Sequence, residues 1–202
     1  MSTNTTTAAR TPAATRTIAY TALFAALSTV LMMFSFPLPF FPPFLKFDLS
    51  GVPILLTAFM FGPLPAVLAA AVKDLINALF STSGGVGELS DFFVTAVMAL
   101  TSGLVYRRRH TRSGALLACI LGAVLMALVA MVTNRFLIIP FYMNIMPLEA
   151  ILAACAKVNP LIGDINTYIL LGAGPFTLVK GILLSVVTFL LYKRLHTFIQ
   201  GR

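Results

Sequence analysis

Tryptophan is absent, and the chain has only two cysteines, two histidines and six acidic residues. Each scarcity excludes something. Two cysteines, Cys119 and Cys155, are too few for a disulfide framework. Cys119 lies inside an apolar run, where a free thiol is a small packing residue. The histidines, His110 and His196, both sit in basic flanks, and no metal-ligand spacing occurs. There is no H-E-x-x-H or G-x-S-x-G pattern, so nothing points to an intramembrane enzyme. A Walker A pattern is missing too, so the chain cannot hydrolyse ATP itself. Charged residues of both signs make up only 10%, against about a quarter in soluble domains.

What is present is apolar: 59% of the 202 residues are hydrophobic. Surface of that composition needs lipid as its solvent, and the length suits one membrane domain. The net charge of +8 raises the question of nucleic acid, which the distribution answers. Arg10 and Arg16, the cluster Arg107, Arg108, Arg109 and Arg112, and the tail Lys193, Arg194 and Arg202 all flank long apolar runs. That is the positive-inside pattern of cytoplasmic segments, not a groove-facing basic surface.

The pattern predicts an all-α membrane protein with six transmembrane helices and both termini cytoplasmic. Residues 1–16 read as a disordered cytoplasmic tail, 17–195 as the membrane domain and 196–202 as a second cytoplasmic tail. The expected helices run from about 17 to 36, 50 to 61, 64 to 81, 88 to 106, 114 to 139 and 176 to 192. The prolines of residues 36–44 end the first in an aromatic loop. A single helix over 51–81 would be about 46 Å long, well beyond a ~30 Å bilayer core, and Phe61-Gly62-Pro63 is expected to break it. Parity supports the break, because an even number of crossings must separate the N-terminal tail from Arg107–Arg112. Residues 140–175 are expected to be a long external segment.

This topology brings rare polar groups to one leaflet: Lys46 and Asp48 after helix 1, Glu88 and Asp91 at the start of helix 4, Asn134 and Arg135 at the end of helix 5, and Thr177 and Lys180 at the start of helix 6. Ionisable groups at membrane depth cost roughly 2.5–3.5 kcal/mol each on insertion scales and persist where they face a cavity or a partner. Glu88 also suits a helix N-terminus, and Arg135 suits an interfacial anchor. Lys73 and Asp74, within helix 3, can neutralise each other or a neighbour; as a proton relay they would suit a stand-alone secondary transporter. Tyr142 and the phenylalanines of residues 36–44, Phe44 included, make either an aromatic belt or a lid over a planar ligand. Together these groups suit a small, partly aromatic, polyhydroxylated ligand better than a bare ion. On helix 1, Ala22 and Ala26 form a flat stripe, suited to internal packing or to a docking partner.

Five stretches carry a resemblance: Lys46-Phe-Asp-Leu-Ser-Gly-Val-Pro53, Phe61-Gly-Pro63, Gly84-Gly-Val-Gly-Glu-Leu89, Asn134 to Tyr142, and Pro175-Phe-Thr-Leu-Val-Lys-Gly181. In order and spacing the chain resembles the substrate-binding S component of an energy-coupling-factor (ECF) transporter, specifically the riboflavin-specific kind, over about residues 17–195. The resemblance implies a multi-pass subunit of a prokaryotic plasma membrane that captures riboflavin outside. The vitamin would be cargo rather than cofactor. The implied partners are a transmembrane coupling subunit, docked on the Ala22/Ala26 stripe, and two ATPase subunits. The implied pocket lies near the outer face, with Asn134 and Lys180 at flavin-contacting positions and Glu88 at a polar motif position. An S component for thiamine or a pyridoxine-like vitamin is the alternative of the same class. One departure stands out. Relatives carry Pro-Phe-Asn before the lysine, whereas this chain has Thr177, which keeps a hydroxyl but lacks the amide's paired donor and acceptor.

Overall fold

A computed structural model of the chain describes residues 13–200, except for 43, 82 and 146. Among the described residues, the regular secondary structure is helical apart from one hairpin of two two-residue strands. Helix α1 spans Ala13–Met33, α2 Gly51–Phe61, α3 Pro63–Ala78, α4 Val86–Arg108, α5 Arg112–Thr133, α6 Ile139–Met143, α7 Leu148–Ala156, α8 Ile165–Tyr168 and α9 Gly174–Gln200. Among the described residues, four continuous helical stretches are long and apolar enough to cross a membrane: Ala14–Met33, Val86–Arg108, Arg112–Met143 and Ile165–Tyr192. Helix α2, with 11 residues, is apolar but shorter.

The break expected at Gly62 is present. Its φ of 96° is a left-handed-side value that favours glycine, and Pro63 follows at the start of α3, where its missing N–H costs nothing. The aromatic loop after α1 closes as a hairpin of β1 (Phe36–Pro37) and β2 (Lys46–Phe47), with Phe36 opposite Phe47 and Pro37 opposite Lys46.

Several boundaries correct the sequence reading. Helix α1 starts at Ala13, so residues 13–16 are its first turn rather than tail; residues 1–12 lie outside those described. Helix α9 continues to Gln200, through most of the expected second tail. The largest correction concerns residues 140–175. Pro140 does not end the fifth helix, and Gly172-Ala173-Gly174-Pro175 does not separate residues 165–171 from the sixth. In both places a π-helical turn precedes the proline: Asn134–Ile138 links α5 to α6, and Ile169–Ala173 links α8 to α9. The Ile139 N–H donates to the Asn134 carbonyl, and the Gly174 N–H to the Ile169 carbonyl. These five-residue steps widen the turn just before a residue that has no N–H, and the helix passes through. What remains between the two long helices is the stretch 144–164, with α7 inside it.

The helices pack through small residues. Ala25, Ala58, Ala66, Ala69, Ala70 and Ala99 are buried where α1, α2, α3 and α4 meet. A Cβ placed on Gly181 of α9 would lie 2.9 Å from the Ala123 Cβ of α5. At the end of α4 that bears Arg107 and Arg108, Phe59, Tyr106 and Tyr192 pack ring against ring, and the two tyrosine hydroxyls share a hydrogen bond.

Candidate binding cavity

At the other end of the bundle a cavity of about 480 Å³ is lined by the end of α1, the hairpin, the end of α3, the start of α4, the end of α5 and its π turn, and the start of α9. The volume lies within the ≈ 300–1,000 Å³ range of small-molecule sites. All seven binding candidates from the sequence line it: Phe44, Asp48, Glu88, Asn134, Tyr142, Thr177 and Lys180. Arg135, by contrast, is exposed on the bundle surface, as an interfacial anchor would be.

The wall has an aromatic side and an ionic side. On the aromatic side Phe44 lies between Tyr142 and Tyr168, at ring-centroid distances of 5.8 and 5.7 Å, and Phe41 meets Phe176 edge-on at 5.2 Å. Asn134 projects from the first π turn beside this cluster. Its Nδ2 donates to the Ala130 carbonyl at 2.8 Å, and its Oδ1 accepts from the Tyr168 hydroxyl at 2.8 Å. An amide has two N–H groups and an acceptor oxygen with two lone pairs, so one donor and one acceptor position remain.

The ionic side is a chain of alternating charge. Lys180 Nζ lies 2.7 Å from Asp48 Oδ2 and 3.1 Å from Asp91 Oδ1. The other Asp91 oxygen lies 2.5 Å from Lys73 Nζ, which also sits 3.0 Å from Asp74 Oδ1. Asp48 Oδ1 in turn accepts from the Ser50 N–H at 2.8 Å and from the Ser50 hydroxyl. Three carboxylates and two ammonium groups from the hairpin end, α9, α4 and α3 thus alternate, and burial of each is tolerated because each has an opposite partner. Sequence reasoning left Asp91 unassigned among the outer polar groups. Its position one helical turn after Glu88 was the available signal.

Glu88 has a different role from the buried acids. One carboxylate oxygen accepts from the hydroxyls of Ser81 at 2.6 Å and Ser83 at 3.2 Å. Those hydroxyls also accept backbone N–H groups of Ser83, Gly85 and Gly87. Glu88 therefore ties down the 81–87 loop at the cavity rim. Thr177 donates its hydroxyl to the Ala173 carbonyl at 2.9 Å. Its one proton is thereby committed, and toward the cavity it offers only lone pairs. Ala22 and Ala26 lie exposed on α1, at the edge of the buried strip that contains Ala25, Ser28 and Thr29.

Comparison with known proteins agrees with this architecture. The family described as "ECF transporter, substrate-specific component" matches residues 16–192. Riboflavin transporter RibU of Staphylococcus aureus is 34% identical over 178 residues, covering 88% of this chain and 89% of that one. Riboflavin transporter FmnP of Bacillus subtilis is 25% identical over 181 residues, covering 88% and 90%. A solved structure of the S component of a bacterial ECF transporter superposes with a TM-score of 0.74 at 30% identity, covering 92% of this chain and 98% of its own. These relatives are transport proteins, not enzymes. With the match spanning nearly the whole helical bundle, the chain belongs to the family of substrate-specific components of ECF transporters.

Proposed function

We propose that this chain binds riboflavin at the outer face of a prokaryotic plasma membrane and delivers it inward, using energy from two partner ATPase subunits transmitted by a membrane coupling subunit. The observation that carries the substrate is the pairing of a cavity of about 480 Å³, aromatic on one wall and ionic on the other, with 34% identity to a riboflavin transporter along 88% of the chain. The aromatic wall suits a flat ring system. The unused donor and acceptor of Asn134 and the unused donor of Lys180 suit ring heteroatoms and a polyol tail.

The proposed topology has six crossings with both termini inside. The cavity lining supports it: α1 ends at the cavity, Asp48 lines it three residues before α2, α3 ends there, α4 starts there, α5 ends there and α9 starts there. The chain thus runs six times between the cavity end and the Arg107–Arg109 end, which the positive-inside rule assigns to the cytoplasm. Helices α2 and α3, at about 17 and 24 Å, cross as short elements, α2 buried among its neighbours and α3 with one leucine-rich face exposed. The exposed Ala22/Ala26 stripe is the proposed docking surface for the coupling subunit, since small residues let another helix approach closely.

The test is a flavin fluorescence titration of the purified full-length protein. Saturable quenching at one site is the expected result. A protein that neither co-purifies with riboflavin nor quenches it would sink the proposal, and direct binding of thiamine or pyridoxine, read by calorimetry, would then point to another vitamin.

A further inference from the structure

Lys73 is fully buried and does not line the cavity. A buried ammonium in a helix of a membrane bundle is expensive, so its partners indicate what it is for. It holds Asp91, and Asp91 holds Lys180.

The geometry of an ammonium group makes this consequential. Lys180 has three N–H donors in tetrahedral arrangement. With one acceptor, the group would rotate freely about its N···O axis, and the other two donors would have no fixed direction. With two acceptors in fixed places, the direction of the third is set as well. Asp48 and Asp91 are those two acceptors. Asp48 follows the hairpin, just before α2, while Asp91 stands on α4. The Asp91 carboxylate is itself prevented from turning, because its second oxygen accepts from Lys73 and, at 3.3 Å, from the Thr95 hydroxyl.

We propose that Asp91 and Lys73 are positioning residues for the ligand, with Asp91 fixing the direction of the one Lys180 donor left for the cavity and Lys73 holding Asp91 in place. The inference rests on the cavity being the flavin site. In a merely structural role the pair would support the bundle equally whether or not Lys180 is present. As positioning residues they act on the ligand only through Lys180.

A double-mutant cycle separates the two. The proteins are wild type, Asp91→Asn, Lys180→Met and the Asp91→Asn/Lys180→Met double variant, each titrated with riboflavin. Asparagine keeps the size of Asp91, and each lysine keeps one carboxylate partner, Asp48 for Lys180 and Asp74 for Lys73. The expected result is about a tenfold loss of affinity for Asp91→Asn in the wild-type background, shrinking to less than about twofold in the Lys180→Met background. Equal losses in both backgrounds, or no loss in the first, would overturn the proposal. If Lys180→Met binds too weakly to titrate, the charge-neutral pair Lys73→Met/Asp74→Asn replaces it. That pair should weaken binding about threefold alone and add nothing to Asp91→Asn; additive losses would overturn the proposal. Failure of wild type to quench flavin would instead reject the ligand assignment, so the two failures are distinguishable.

Discussion

The Tyr168 hydroxyl donates to Asn134 Oδ1 at 2.8 Å, joining two residues 34 positions apart in the interior of the bundle. Each follows from a π turn: Asn134 opens one, and Tyr168 immediately precedes the other. The same two turns let the long helices run past Pro140 and Pro175. The irregular backbone therefore serves two ends, continuing the helices and aiming an amide at the cavity. π turns of this kind often occur at functional sites.

Removing that hydroxyl should matter only through Asn134. Tyr168→Phe keeps the ring packed on Phe44 and leaves the amide held only by its bond to the Ala130 carbonyl. A net hydrogen bond contributes about 0.5–1.5 kcal/mol, so flavin affinity should fall by roughly threefold to tenfold. Asn134→Ala should cost at least about tenfold, because it removes the cavity-facing donor and acceptor as well. Fluorescence titration reads both. Unchanged dissociation constants for both variants would show that this wall does not meet the ligand.

Thr177 offers a gain instead. Its hydroxyl proton goes to the Ala173 carbonyl, so it cannot donate to a ligand. Thr177→Asn restores the residue that relatives carry and adds an amide N–H facing the cavity. Flavin should bind about threefold to tenfold more tightly, the range of one hydrogen bond. Thr177→Val, which removes only the hydroxyl, should change affinity by less than about threefold. Weaker binding by Thr177→Asn would mean that the cavity has closed around threonine and has no room for the larger side chain.

Much of the site was legible because polar residues are so rare in this chain. A lysine or an amide at the end of an apolar run has few explanations, and placing those ends on one side brought together seven residues that do line one cavity. Pairing was not legible. Nothing in the order of residues says that Asp91 meets a lysine 89 positions away, or that Lys73 reaches past its neighbour Asp74 to share it. The continuous helices through Pro140 and Pro175 were missed for a local reason. Proline normally ends a helix, and the π turn that overrides it has no sequence signature of its own. The break at Gly62 was found because glycine followed by proline carries its backbone geometry in the residue types.

Gly181 tests the packing that holds the site together. It lies one residue beyond Lys180, facing α5, and an added Cβ would press on Ala123 at 2.9 Å. The two nearest atoms, the Ala123 Cβ and Cα, cannot turn aside as the Met126 side chain beyond them can, so relief requires α9 to move away from α5. Gly181→Ala should destabilise by about 1–3 kcal/mol, lowering the unfolding temperature in detergent. Because α9 carries Thr177 and Lys180, flavin affinity should fall in parallel. An unchanged unfolding temperature would show that the two helices are not held in close contact.

The proposed docking stripe makes the opposite demand, a loss of transport without loss of binding. Ala22 and Ala26 are exposed and are absent from the cavity lining. Leucine at either position would stand out from α1 by three extra carbons without touching the binding wall. A partner helix that approaches closely over alanine would be held off, since such contacts in lipid depend on small residues and close van der Waals packing. Ala22→Leu and Ala26→Leu should therefore bind flavin with wild-type affinity in detergent. In vesicles containing the coupling and ATPase subunits, the same variants should show uptake reduced by at least about tenfold, with less coupling subunit recovered in co-purification. Wild-type uptake by both variants would remove the stripe as the docking surface. Lost flavin binding would mean that α1 supports the cavity rather than the partner.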